Sequence, residues 1–334
     1  IIISGATPDE VSLSIENAKE AIRHAAGFAK FTTDTSRLFE LRADTRHPEA
    51  FTDAEVADRY AALLTPEERR WAEMEFSRPF HIGEAVYRFS SQDVARYAVK
   101  FVASLRLNEA LYDFIRETKA AAGLGRAFDF EPSLDEAETL TTAKDVIFYL
   151  HWLKARGRPA QLMPPNLGFK KRQAYPVSME TSPETGIGLR DYVRSKMWAE
   201  LVPRVVGEFA GRPLEELRAR VGELAAVARH FNCTLSVHSG SGKQAEVLEL
   251  LGEATAGRVN YKISGELQLQ LFDVLSAQPV GSHWRTLYDR MVDRCHAFAA
   301  AGAFGEESAL AQKYLALGRG SYLGDSARGR VDGN

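Results

Sequence analysis

The chain has 334 residues, 45% apolar and 26% charged, with a formal net charge of −3; this is globular composition, enough for one large domain or two modest ones. The slight negative charge disfavours nucleic acid or an anionic membrane as the main partner. Two cysteines, Cys233 and Cys295, give neither metal spacing nor a disulfide framework, and no apolar run is long enough to span a bilayer, so a cytoplasmic protein is expected.

Ile1–Ile3 reads as a short buried strand. Thr7-Pro8-Asp9-Glu10 is a helix start with cap, proline at the first helical position and closing glutamate. Val11, Ile15, Ala18 and Ile22 continue it at helical spacing. Phe28–Thr32 reads as the next strand, and Asp34 after it is a candidate ligand or hydrogen-bond acceptor, beside the plain alternative of an Asx turn or helix cap. Residues 47–82 look like an insertion with two short helices, the second opened by Thr65-Pro66-Glu67-Glu68; it could serve as a lid or a subunit contact. His81 at its edge reads as structural. Ala85–Phe89 reads as a strand, and Ser90-Ser91-Gln92-Asp93 caps a long helix striped by Val94, Tyr97, Phe101 and Leu105.

Phe128–Leu134 is a strand running into Asp135-Glu136-Ala137-Glu138. Carboxylates this dense at the end of a buried strand repel unless a cation or proton intervenes. The macrodipole of the following helix explains Asp145 but not Glu131, Asp135 and Glu136, which precede its cap at Thr142. Arg158–Met163 is the next strand, and its loop carries Asn166, Gly168, Phe169, Lys170 and Lys171. That loop suits an anionic substrate or a plain solvated turn. Two helices follow a loop over 176–188.

Thr234–Val237 is short, apolar and β-branched, hence a buried strand. It ends in His238-Ser239-Gly240-Ser241-Gly242-Lys243, with Ser241 and Gln244 placed as a capping box for the next helix. A nucleotide P-loop is rejected, because Val237 and Gln244 stand where it requires Gly and Ser or Thr; a generic anion site at the helix N-terminus remains, beside the plain alternative of a core histidine and an ordinary turn. Val259–Ile263 follows, with Asn260, Tyr261 and Lys262, then a last strand over Gln278–Ser282 and a C-terminal helix. Beyond residue 317 the composition reads as a loose tail.

Six or seven strands alternating with helices, and no sustained hairpin pattern, predict an α/β chain with a parallel sheet. Length and continuous alternation favour a (β/α)8 TIM-barrel-like domain over residues 1–317, with the helical insertion at 47–82 and a flexible tail over 318–334. The polar strand ends would share its C-terminal face.

Four blocks resemble the bacterial tagaturonate/fructuronate epimerases, metal-dependent barrel enzymes of hexuronate breakdown. They are Leu134-Asp135-Glu136 with Thr139–Phe148; Pro165–Lys171 with Tyr175; Leu235–Lys243; and Asn260–Gly265. The chain is similar to the family as a divergent member: Gly242 stands where the family has Asp, and Asn260 where it has His. The resemblance implies a divalent cation on Glu136, His238 and Asn260. It further implies proton transfer or charge stabilisation by Asp135, Lys243 and Lys262, and substrate contacts from Lys170, Lys171, Ser239 and Ser241. The implied function is epimerisation of a keto sugar acid through an enediolate or retro-aldol intermediate. The two uronates differ at a carbon beta to the ketone, so direct enolisation does not activate it. A metal-dependent aldolase or lyase, and a degenerate sugar-acid-binding barrel, are the alternatives. The implied partner is a small sugar acid, and a homo-oligomer is open.

Overall fold

The computed structural model describes residues 1–5, 7–125, 127–135, 139–170, 173–184, 186–194, 212–240, 242–262, 265–302, 312 and 315–316. The chain divides into two compact units, Ile1–Lys262 and Ile263–Asn334. The tail expected over 318–334 lies outside the described residues.

The first unit opens with α1 (Pro8–His24), capped by Thr7 and Glu10 as the sequence predicts, and β1 (Lys30–Asp34). Ile1–Ile3 forms only an isolated bridge, Ile2 to Asp34. Helices α2 (Asp53–Leu63) and α3 (Pro66–Phe76) each start with a threonine whose side chain and a glutamate three residues on satisfy one another's backbone partners. Strands β2 (Phe80–Ile82) and β3 (Ala85–Tyr87) pair antiparallel across Gly83, whose φ of +59° suits glycine. There follow α4 (Ser91–Ala121), β4 (Asp129–Ser133), α5 (Ala143–Ala155), β5 (Leu162–Met163), α6 (Leu189–Arg194), α7 (Pro213–His230), β6 (Thr234–Val237), α8 (Ala245–Ala254) and β7 (Val259–Tyr261). The second unit holds α9 (Gly265–Ser276) and α10 (His283–Ala300), with Arg285 donating to the Ser276 carbonyl at 2.9 Å.

The closed eight-stranded barrel expected from the alternation is not what forms. Among the described residues the sheets are small: β1–β4 parallel, β5–β6–β7 parallel, and the β2–β3 hairpin. Three sequence segments account for the difference. The expected strand over 85–89 folds back on Phe80–Ile82 and leaves the parallel set. Gln278–Ser282 is a turn in which Ser282 caps α10. Pro132 sits inside β4 without an N–H, and alternation directs that missing donor towards β5. Its neighbours on that side compensate singly: Phe130 N–H donates to the Gln161 side chain at 2.8 Å and Leu134 N–H to the Pro164 carbonyl at 3.0 Å. No regular ladder joins β4 to β5.

Strand alternation gives the parallel strands two unlike faces. Phe31, Phe130, Leu235 and Val237 are buried in the core, with Tyr112 of α4 edge-on to Phe130 at 5.3 Å. The other face carries Lys30, Thr32, Glu131, Ser236, His238 and Asn260, which bond to one another. The helices of segment 47–82 belong to the core. Phe76 stacks on Phe148 of α5 at 4.5 Å, and Trp71 meets Trp152 edge-on at 4.7 Å. Val56 and Tyr60 of α2 and Ala72 and Phe76 of α3 are buried in this packing, while Leu63 and Met74 stay exposed.

A buried ion network ties these layers together. Lys100 of α4 donates to Asp44 at 2.9 Å and to Asp145 of α5 at 2.7 Å, and Arg46 donates to Asp44 at 2.7 Å and to the Leu140 carbonyl at 3.2 Å. Burial pushes the Asp44 carboxyl up, but Lys100 and Arg46 outweigh it and hold it well below the usual carboxylate range. The stability this confers is therefore complete above the ordinary carboxylate pKa and is lost as pH falls through the lowered folded value.

Lys100→Met should leave two buried carboxylates sharing Arg46 and destabilise the protein by about 3–5 kcal/mol at neutral pH in urea unfolding. One carboxyl in the variant then titrates above its unfolded value, so protonation relieves the repulsion. The gap between variant and wild type should narrow as pH falls towards 4, roughly the unperturbed carboxylate pKa. A gap independent of pH would show that the network is not electrostatic.

Candidate active site

The polar face gathers its charged side chains at Glu131. Its position opposite Thr32 in the β1–β4 register brings the Lys30 and Thr32 side chains to one carboxylate: Lys30 Nζ lies 2.8 Å from Oε2, and the Thr32 hydroxyl donates to Oε1 at 2.8 Å. Across the face, His238 follows β6 directly, and its Nε2 lies 3.1 Å from Glu131 Oε1. Its Nδ1 lies 3.6 Å from Oδ2 of Asp135, two residues beyond β4. Glu131 has no exposed surface, and Asp135 and His238 are buried. Burial alone would push the Glu131 carboxyl up; hydrogen bonds from His238, Lys30 and Thr32 hold it down at about 2. Burial lowers His238, but its bonds to Asp135 and Glu131 raise it above the usual histidine value against the opposing charge of Lys262.

An ionised carboxylate can only accept. Nε2 of His238 therefore carries a proton towards Glu131, and Nδ1 faces Asp135. A neutral Nδ1 and a carboxylate oxygen present two lone pairs to one another unless a proton or cation lies between.

The other expected site residues are placed as follows. Ser239 is buried at left-handed φ of +55°, and its hydroxyl has no hydrogen-bond partner among the described residues. Asn260 donates its amide to the Ser236 hydroxyl at 2.8 Å, on the same face as His238. Lys262 is exposed just after β7. Lys243 is buried and donates to the carbonyls of Lys170 and Gln173, each at 2.6 Å, with its ammonium 5.2 Å from the Phe169 ring centre. Gln244 clasps the same loop through both backbone groups of Tyr175 and occupies the N-cap of α8, three residues after the expected Ser241 cap. Lys170 stacks its ammonium over Tyr192 at 4.8 Å. Glu136, Lys171 and Ser241 lie outside the described residues.

Lys30, Thr32 and Glu131 are the members that motif reading undervalued. Their signal is alternation: a polar residue at every second position of Lys30-Phe31-Thr32-Thr33-Asp34, and a glutamate inside Phe128–Leu134.

The resemblance implies a divalent cation. Among the described residues no group of three or more His, Cys, Asp or Glu side chains is arranged to hold a metal. The pair that does converge fits one in chemistry: an imidazole nitrogen and a carboxylate oxygen 3.6 Å apart, where two ligand atoms on one ion sit roughly 3–3.5 Å apart. The second imidazole nitrogen is held by a carboxylate, as metal-bound histidines usually are.

A family model described as tagaturonate epimerase matches residues 11–171. No curated protein matches the chain. The native crystal structure of fructuronate-tagaturonate epimerase UxaE from Cohnella laeviribosi is similar, with a TM-score of 0.56 at 22% identity, over 86% of this chain and 50% of that one. That enzyme with one glycerol gives 0.54 at 22% identity, over 89% and 50%. With two glycerols it gives 0.55 at 21%, over 95% and 55%. At this identity the likeness concerns the fold, and the chain spans about half the length of the solved enzymes it matches. The family match takes in β1, β4, Glu131 and Asp135, and ends before His238. Over residues 11–171, just under half of its length, the chain is similar to the tagaturonate epimerase family.

Proposed function

We propose that the chain epimerises a keto sugar acid of the fructuronate and tagaturonate type, at the site built on His238. The observation that carries this reading is the burial of His238, which directly follows β6, between Glu131 of β4 and Asp135 just beyond it, both carboxylates lying in the segment the family model matches. His238 and Asp135 would hold a divalent cation. When bound, it supplies polarisation of the substrate's ketone oxygen and eases negative charge on the reacting carbons.

The chain's own residues do the rest. Asp135 is a buried carboxylate; with Oδ2 towards His238 and the cation, its second oxygen is left to take and return a proton at a substrate hydroxyl. Ser239 offers a buried hydroxyl with no partner among the described residues, and a substrate hydroxyl would satisfy it. Lys262, exposed beyond β7, and Lys170 in the adjoining loop attract the substrate carboxylate. Lys243 acts indirectly by fixing the carbonyls of that loop. Asn260 keeps the floor of the site in register through Ser236.

Elemental analysis after separate incubation with zinc, manganese, nickel and iron salts should find a stoichiometric divalent metal that His238→Ala loses. Proton NMR should then follow interconversion of fructuronate and tagaturonate by the wild type alone. Turnover that survives His238→Ala sinks the assigned site, and release of three-carbon fragments in place of the epimer would identify a lyase.

Ser239→Gly removes both the left-handed strain of a side chain and the unpaired hydroxyl. It should stabilise the fold by about 1 kcal/mol in denaturant unfolding, while KM for the sugar acid rises. A variant that gains stability with unchanged KM would show that Ser239 does not touch substrate.

A further inference from the structure

The strongest unexplained feature is the care with which Glu131 is held. It lies inside β4 rather than at its end, and three groups meet it: Thr32 Oγ1 and His238 Nε2 hydrogen-bond to Oε1 at 2.8 and 3.1 Å, and the Lys30 ammonium pairs with Oε2 at 2.8 Å. Lys30 and Thr32 are two residues apart on one strand, so both reach the same face, and Glu131 is buried beneath them. This is more than charge neutralisation requires, because Lys30 alone would balance one carboxylate. The extra hydroxyl bonds to Oε1, the oxygen that faces His238, and fixes that oxygen's position.

We propose that Glu131, clamped by Lys30 and Thr32, is a positioning residue that fixes His238 as the Nε2–H tautomer and so presents the Nδ1 lone pair towards Asp135. An imidazole free to choose would be split between tautomers, and only one of these leaves Nδ1 able to bind a cation or accept a proton opposite Asp135. Glu131 need touch neither substrate nor metal; it acts through the ring. The consequence for cation binding rests on the metal-site reading above, while the tautomer itself does not.

Imidazole nitrogen NMR on 15N-histidine-labelled protein, with His238 assigned by its loss in His238→Ala, reads the proton directly. In the singly protonated form of the wild type, reached by raising the pH until the ring loses its second proton, Nε2 should carry the remaining proton and Nδ1 should not, with or without zinc. Glu131→Leu should abolish this single-tautomer signature and lower zinc affinity, measured by calorimetry, by about 10- to 100-fold. Glu131→Gln keeps an acceptor and should restore the tautomer in part, which a merely space-filling role would not do. Thr32→Val and Lys30→Met, at half-buried positions, should broaden the Nε2 signal even if Glu131→Leu fails to fold. A singly protonated wild-type ring with its proton on Nδ1, or an unchanged tautomer in Glu131→Leu, overturns the proposal. If zinc does not bind but Nε2–H persists and depends on Glu131, the clamp stands and the metal reading falls. If zinc binds with the proton on Nδ1, the clamp falls.

Discussion

A carboxylate with no exposed surface has to be paired, and Glu131 imposes that requirement on everything around it. Leaving it alone inside the protein would cost several kcal/mol, so donors must come from neighbouring elements. Its partner strand supplies Lys30 and Thr32, and β6 supplies His238 across the face. The same carboxylate thus aligns β1 with β4 and brings the end of β6 to the end of β4. Asp135 is then carried to Nδ1 by the two residues that follow β4. The site is a by-product of satisfying one buried charge, and its members cannot be placed independently.

A second set of contacts makes the surround rigid. The loop after β5 runs its carbonyls towards Lys243 and its Tyr175 backbone towards Gln244. Phe169, Tyr175 and Tyr192 pack edge to edge beneath it. Asn166 closes the loop's start, donating to the Thr139 carbonyl and accepting from the Gly168 N–H. The strand-to-helix segment after His238 therefore anchors the neighbouring loop with its lysine and glutamine, while His238 itself turns to Glu131. This division of labour explains why Lys243, which looks catalytic beside a Gly-Ser run, has its ammonium on backbone carbonyls.

The helix starts were legible because capping is local: Thr7, Thr52, Thr65, Ser90 and Thr142 each carry their partner three residues on, and each caps a helix. The strand at Thr234–Val237 was legible from its short, apolar, β-branched run, and the one at Asp129–Ser133 was expected within Phe128–Leu134 although it holds no β-branched residue. Strand pairing was not, because whether residues 85–89 join a parallel sheet or turn back at Gly83 depends on Phe80 and Phe89 packing on the Phe76 and Phe148 cluster, which no local pattern encodes. His238 and Asp135 stood out as polar residues at strand ends. Glu131 drew notice only as one of a carboxylate run, since a run along the sequence does not show which of its members faces a histidine 107 residues away.

The family segment and the histidine block meet through the same logic. Residues 11–171 contain the carboxylates of the site but leave Glu131 Oε1 with only the Thr32 hydroxyl among its side-chain donors. The buried carboxylate needs the third donor that His238 brings from outside the segment. A chain that kept β1 and β4 while changing His238 to an apolar residue would bury a less compensated charge and orphan Asp135 with it. A chain that kept His238 without Glu131 would lose the acceptor that orients its ring. The two parts therefore constrain each other through free energy as well as through chemistry. That coupling ties the Leu235–Lys243 block to strands β1 and β4 through the one carboxylate that Thr32, Lys30 and His238 share.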